Sequence, residues 1–444
     1  MTFENTVTFE ELFEIPLRNG LTKPKAVRGS GIRMVNMGEL FANGRLINTP
    51  MERVPTTSAE FEKSKLMPGD LLFARQSLVL SGAGKCSIFL KDEEDVVFES
   101  HLIRCRLNKQ KADPYFYYSY FSSWQGRSVI ESITEQVAVA GIRGSDLAKV
   151  EVACPPIKDQ KAIAHILGTL DDKIELNRKT NETLEGIAKA LFKSWFVDFD
   201  PVRAKAEGRP TGLPDDISEL FPDSFDESEL GEIPRGWKFE TLGALTSWSS
   251  GSTPSKKNPD YWGGSVPWIS ANSMKDIFAM NSELKLTVEG VKSGAKLARS
   301  GSILLLVRGS GLHSRISMCL AASEVSFNQD VKAIEASNEF GISAFQIFAY
   351  LSAISDQLLG MVEFTGIGAG KLDTDTLLAL PFAIPGECLR GIIEEVLSPI
   401  YEKIKANLWM ENSLEHLRDA LLPRLISGEI RVPDAEKMLE EIGI

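Results

Sequence analysis

The sequence predicts an α+β chain in which two mostly-β globular modules are joined by two long helices packed as an antiparallel coiled coil, arranged as a pseudo-twofold repeat. Three observations lead there. At a constant offset of 230, Lys173, Ile174, Asn177, Leu184 and Leu191 fall on Lys403, Ile404, Asn407, Leu414 and Leu421. Each repeat ends in a long run whose apolar positions alternate three and four apart, the spacing of a helical seam. Each repeat begins with short β-branched or aromatic runs broken by Gly and Pro. A period this long is a domain duplication, because solenoid units run to only about 20–50 residues.

Residues 1–156 form the first module. Ile32-Arg-Met-Val-Asn36, Asp70-Leu-Leu-Phe-Ala74, Cys86-Ser-Ile-Phe-Leu90, Val96-Val-Phe98 and Leu102-Ile-Arg-Cys-Arg-Leu107 read as strands. Pro114-Tyr-Phe-Tyr-Tyr-Ser-Tyr-Phe121 opens on proline, whose missing N–H has no partner in a first helical turn anyway, and predicts a helix. Its counterpart is Ala344–Leu351 in the second module, residues 237–385. Gly69-Asp-Leu-Leu-Phe-Ala-Arg75 answers Gly301-Ser-Ile-Leu-Leu-Leu-Val-Arg308 at a slipped offset, so the modules vary while the helices hold the frame.

The helices are expected over 157–197 and 386–428. The first carries Ile163, Leu167, Leu170, Ile174, Leu184 and Leu191 on its seam, the second Ile400, Ile404, Leu414 and Leu421. Polar residues interrupt both seams: Asn177 and Asn181 in one, Asn407 and Glu411 in the other. Antiparallel pairing would set Asn177 near Glu411 and Asn181 near Asn407, a layer that costs stability but fixes register.

Residues 198–236 are acidic and rich in Pro and Gly, and read as a connector. Residues 429–444 read as a C-terminal tail. The net charge of −12 is unlike the basic footprint usual in nucleic-acid binders, but the excess acid sits largely in the connector and beyond residue 385. Phosphate neutralisation would therefore fall to a few local Lys and Arg, or to partner subunits. The five cysteines are scattered without a CxxC, which supports neither a disulfide frame nor a zinc site. No apolar run reaches the roughly 18 residues of a membrane span, and the start lacks a secretion signal, so a cytoplasmic protein is expected.

Catalytic motifs are missing. There is no GxxxxGK[ST] phosphate loop, no GxGxxG between strand and helix, no NPPY-like methyltransferase segment and no acidic pair with a following ExK of a nuclease. None of the four histidines stands at metal spacing. A non-catalytic recognition or scaffold protein is expected, with no metal site. Trp195-Phe-Val-Asp-Phe-Asp-Pro201 gathers aromatics at a helix exit and reads as a packing knot.

The stretch Leu170-Asp-Asp-Lys-Ile-Glu-Leu-Asn-Arg-Lys, with Leu184-Glu-Gly-Ile-Ala-Lys-Ala-Leu-Phe-Lys-Ser-Trp-Phe-Val-Asp-Phe-Asp-Pro-Val-Arg-Ala-Lys205, closely resembles the central conserved region of the specificity subunit of type I restriction-modification systems. Leu421-Leu-Pro-Arg-Leu-Ile-Ser-Gly428 resembles the distal conserved region of the same family. The resemblance implies two target recognition domains, each reading one half of a split asymmetric site in double-stranded DNA. The paired helices would set the spacing and dock two modification (methyltransferase) subunits. It also implies no cofactor on this chain: S-adenosylmethionine, ATP and magnesium would enter through the modification and the restriction/translocase subunits.

The family has no fixed motif for base readers. Candidates are polar side chains on Gly-rich breaks that can approach base edges. They are Arg75, Gln76, Ser77 and Lys85 (near Gly82-Ala-Gly84), with Arg143 and Ser145, in the first module, and Arg308, Ser310, His313 and Lys371 (ending Gly366-Ile-Gly-Ala-Gly-Lys371) in the second. Two rivals remain at this level: a fused nuclease or methyltransferase, which would need a motif block, and a coiled-coil adaptor that binds protein and no DNA.

Overall fold

The computed structural model describes residues 6–136, 140–364 and 369–441. It forms two compact units: residues up to Ile174 together with Asn412 onward, and Glu175–Glu411. Both long helices are continuous, Ile157–Phe196 and Glu387–Ile426, and the boundary between units falls inside each.

In the first unit, strands Phe13–Asn19, Leu102–Leu107, Asp70–Ala74, Cys86–Lys91 and Arg45–Ile47 lie side by side in that order. All neighbours are antiparallel except the last pair. A second sheet orders Glu52–Val54, Ile32–Val35 and Val96–Phe98, and Thr6–Thr8 pairs with Glu151–Ala153 to close the module on itself. The strand Asp70–Ala74 is buried throughout, which its unbroken apolar run after Asp70 requires.

The second unit repeats this order. Its five-stranded sheet runs Thr246–Ser250, Val331–Ala336, Ile303–Leu306, Met318–Ala321 and Phe278–Ala279, again with only the last pair parallel. Lys238–Thr241 pairs with Pro381–Ile384, as the first and last strands do in the first module. The repeat seen at a 230-residue offset is thus a repeat of topology.

The aromatic helices also correspond. Pro114–Ser122 is capped by Asp113, whose carboxylate accepts from the N–H groups of Tyr115 and Phe116. Ala344–Ala353 is capped by Ser343 at the same offset, accepting from Gln346 N–H. Each cap meets helix-start donors that would otherwise lack partners, worth about 1 kcal/mol. Gln160, fully buried in the first long helix, accepts from Asp113 N–H and donates to the Pro155 carbonyl, tying that helix to its module.

Two expectations change. Residues 198–236 are folded, with helices Asp200–Ala206 and Asp215–Ser218 and a hairpin of Phe225–Ser228 and Gly231–Pro234. Trp195 meets Phe221 edge-on at 5.3 Å, and Phe199 meets Trp237 at 5.8 Å, so aromatic burial holds this segment to the helix exit despite its Pro and Gly content. The tail carries a helix, Val432–Glu441, whose Ala435 and Leu439 are buried in the first unit's core.

Candidate nucleic-acid interface and helix seam

Within the first unit, Ile163, Leu167, Leu170 and Ile174 share one core with Leu414, Leu421 and Leu425. Asp171 accepts from Tyr115 Oη at 2.6 Å and pairs with Arg418 at 2.8 Å. Burial works against the Arg418 charge, but its bond to Asp171 prevails and its pKa rises above the ordinary arginine value.

Within the second unit, the seam interior is filled by Ala188, Phe192 and Trp195 with Ile393, Leu397, Tyr401 and Ile404. Leu184, Leu191 and Ile400, expected inside, lie half-buried at its edge. A straight helix drifts about 20° per heptad against a 3.5-residue repeat, and here that drift brings Phe192 and Tyr401 inward in place of Leu191 and Ile400. Asn181 donates to Glu411 Oε1 at 3.1 Å and accepts from Asn407 Nδ2 at 2.8 Å, and Arg178 lies 3.4 Å from Glu411. The contact of Asn181 with Asn407 follows the expected register. Glu411, expected beside Asn177, accepts from Asn181, and the buried Asn177 Nδ2 has no acceptor among the described residues. These contacts, joining Arg178 and Asn181 to Glu411 and Asn407, run the two segments antiparallel.

Eight of the ten candidate base readers gather on or beside one small sheet per module. In the first, Gln76–Ser77 pairs with Ala140–Gly141, which pairs with Glu135–Gln136. Ile142 N–H donates to the Arg75 carbonyl, so Arg75 and Arg143 come from distant segments to one edge. Arg143 is exposed and paired with exposed Glu135 at 2.8 Å. In the second module, Arg308–Gly309 pairs with Gly370–Lys371, and that strand with Glu363–Phe364. Arg308 stands opposite Lys371, whose ammonium is 3.5 Å from Asp373. Ser310 and His313 are exposed on the turn that follows.

The other two stand apart. Lys85 is half-buried and donates to the Phe41 carbonyl at 2.7 Å; burial, with the nearby Arg127 charge, lowers its pKa. Ser145 is exposed and bonds Asp146. Among the described residues, Arg75 and Arg308 are exposed and have no carboxylate partner. Gly366, Ile367 and Gly368 lie outside the described residues.

Backbone geometry explains two of the glycines. Gly84 has φ +65° and a Cβ there would stand 2.3 Å from Ile130, while Gly309, beside Arg308, has φ +149°. Two large side chains carry no signal in the sequence: Phe364 on the second sheet and Leu78 directly after the strand Gln76–Ser77 of the first are apolar and exposed, which no periodicity marks. Among the described residues no cluster of His, Cys, Asp and Glu could hold a metal, and no helix is long and apolar enough to cross a membrane.

Duplicated modules, each placing an exposed arginine with no carboxylate partner among the described residues on or beside a small sheet and each closed onto a segment of paired helix, define a two-module recognition protein. Residues 3–186 and 234–412 match the family model described as the type I restriction modification DNA specificity domain. The chain belongs to that family of type I restriction-modification specificity subunits, and its role is DNA recognition. It is 27% identical to the type I restriction enzyme HindI specificity subunit of Haemophilus influenzae, over 89% of this chain and 94% of that one. It is also 27% identical to the MjaIX specificity subunit of Methanocaldococcus jannaschii, over 66% and 63%. A crystal structure of a type I restriction-modification S subunit from M. genitalium shares the fold, with a TM-score of 0.53, 15% identity and 95% of each chain covered. The adaptor reading without DNA binding gives way to this membership.

Proposed function

We propose that each module reads one half of a bipartite, asymmetric DNA site, and that the paired helices set the spacing and dock two modification subunits. The observation that carries this reading is the repeated small sheet: one topology presents Arg75, Gln76 and Ser77 in one module and Arg308, Gly309 and Ser310 in the other. The frame is shared and the side chains differ, as two different half-sites require. Arginine on an exposed edge can pair with guanine O6 and N7 or hold phosphate.

The chain selects the site and leaves chemistry to its partners. S-adenosylmethionine would belong to the modification subunits, and ATP and magnesium to restriction/translocase subunits, all acting in the cytoplasm. The buried polar layer of Asn181, Asn407 and Glu411 suits the spacing role, because it penalises slippage of one helix along the other.

The test is methylation mapping in cells that express the modification subunit with and without this chain. A split asymmetric motif methylated only with the chain is the expected result. Identical methylation in both, with an active modification subunit, would refute it.

A further inference from the structure

The two small sheets share a second feature. Phe364, on an edge strand of the second module's sheet, is 64% exposed, and the His313 ring lies flat on it with centroids 4.9 Å apart and planes 12° apart. On the first module's sheet, Leu78 directly follows the strand Gln76–Ser77 and is 92% exposed, with Val79 beside it at 60%. A single exposed apolar side chain is ordinary. Here one stands on or directly beside the same small sheet in both modules, although the sequences there have diverged, and each accompanies an arginine that has no carboxylate partner among the described residues.

Resting on the half-site reading above, we propose that Leu78 and the Phe364–His313 stack are apolar tips that pack against bases, with Arg75 and Arg308 on the neighbouring phosphates. Duplex DNA offers these tips apolar surface as thymine methyl groups in the major groove and as base faces at steps that can be wedged open. The free arginines favour DNA as the occupant over a neutral protein surface. Phosphate contacts alone give affinity that falls steeply with salt and carries no sequence information, whereas an apolar tip adds a contribution that counterions do not screen. The stack on His313 holds the Phe364 ring in one orientation before DNA arrives, so little freedom is lost on contact.

The experiment measures binding of the chain, assembled with its modification subunit, to a duplex bearing its mapped site across a salt series. Phe364→Ala should weaken binding about tenfold, the scale of losing one base-stacking side chain, and Leu78→Ser should weaken it severalfold through the lost apolar contact, both with the salt slope unchanged. Phe364→Trp, which keeps a stacking face, should bind like the parent. Arg308→Ala should instead lower the slope by about one. Because both tips are exposed, melting temperatures should not move; weakened binding accompanied by a lower melting temperature would overturn direct contact. Unchanged binding in both variants, beside a parent that prefers its site, overturns the proposal and leaves half-site reading intact. A parent with no site preference removes both.

Discussion

Asn407 Nδ2 donates to Asn181 Oδ1 at 2.8 Å across the helix seam, and Asn181 Nδ2 donates in turn to Glu411 Oε1 at 3.1 Å. Both asparagines are buried, so each depends on the other. Asn407→Leu strands a buried acceptor and should cost about 1–3 kcal/mol in denaturant unfolding. Asn177→Leu should behave oppositely, neutral or slightly stabilising, because its Nδ2 is already buried with no acceptor among the described residues. Equal losses from the two would remove the distinction.

Asp171 in the first unit receives Tyr115 Oη and the Arg418 guanidinium while itself 8% exposed. Asp171→Ala leaves Arg418 with Asp419 as its one carboxylate partner among the described residues. Since Arg418 keeps about a third of its surface in water, the loss should fall near 2–3 kcal/mol, below that of a fully buried pair. A denaturation midpoint unchanged from the parent would contradict this account.

Lys85 and Arg75 stand on adjoining segments but differ in exposure, Lys85 half-buried and Arg75 exposed. Arg75→Ala should lower the salt dependence of DNA binding by about one unit of slope. Lys85→Met should leave the slope alone and lower stability, because it removes the donor to the Phe41 carbonyl. A salt titration paired with a melting curve separates the two.

The thiols provide a check on burial. Burial pushes the Cys319 thiol up to about 12, and those of Cys86 and Cys105 also upward. At pH 8 a thiol reagent should label exposed Cys388 fast, half-buried Cys154 slowly, and the other three only on unfolding. The unfolded chain releases the Cys319 proton near 9 while the native chain holds it to about 12. Its contribution is therefore complete below pH 9 and is lost as pH climbs through that window.

How much was legible in the sequence depended on the length of the signal. The long helices were, because their spacing recurs many times and each copy checks the other. The positions of Leu184 and Leu191 at the seam edge were not, since a heptad reading ignores the slow drift that turns Phe192 inward. Residues 198–236 misled by composition: Pro and Gly suggest a connector, but Phe221, Phe225 and Trp237 supply enough aromatic surface to fold it. The small sheets were invisible because their strands are two residues long and pair segments far apart, such as Ser77 with Ala140. Their arginines could still be proposed, since they flank glycines that the turns require.

Half-site reading by separate modules is tested most directly by exchange. Residues 237–385 are replaced with the corresponding module of another type I specificity subunit, and the methylated motif is mapped with the same modification subunit. One half of the motif should change while the other half and the spacing between them stay as they were. A motif changed in both halves, or in neither while methylation persists, would contradict half-site reading.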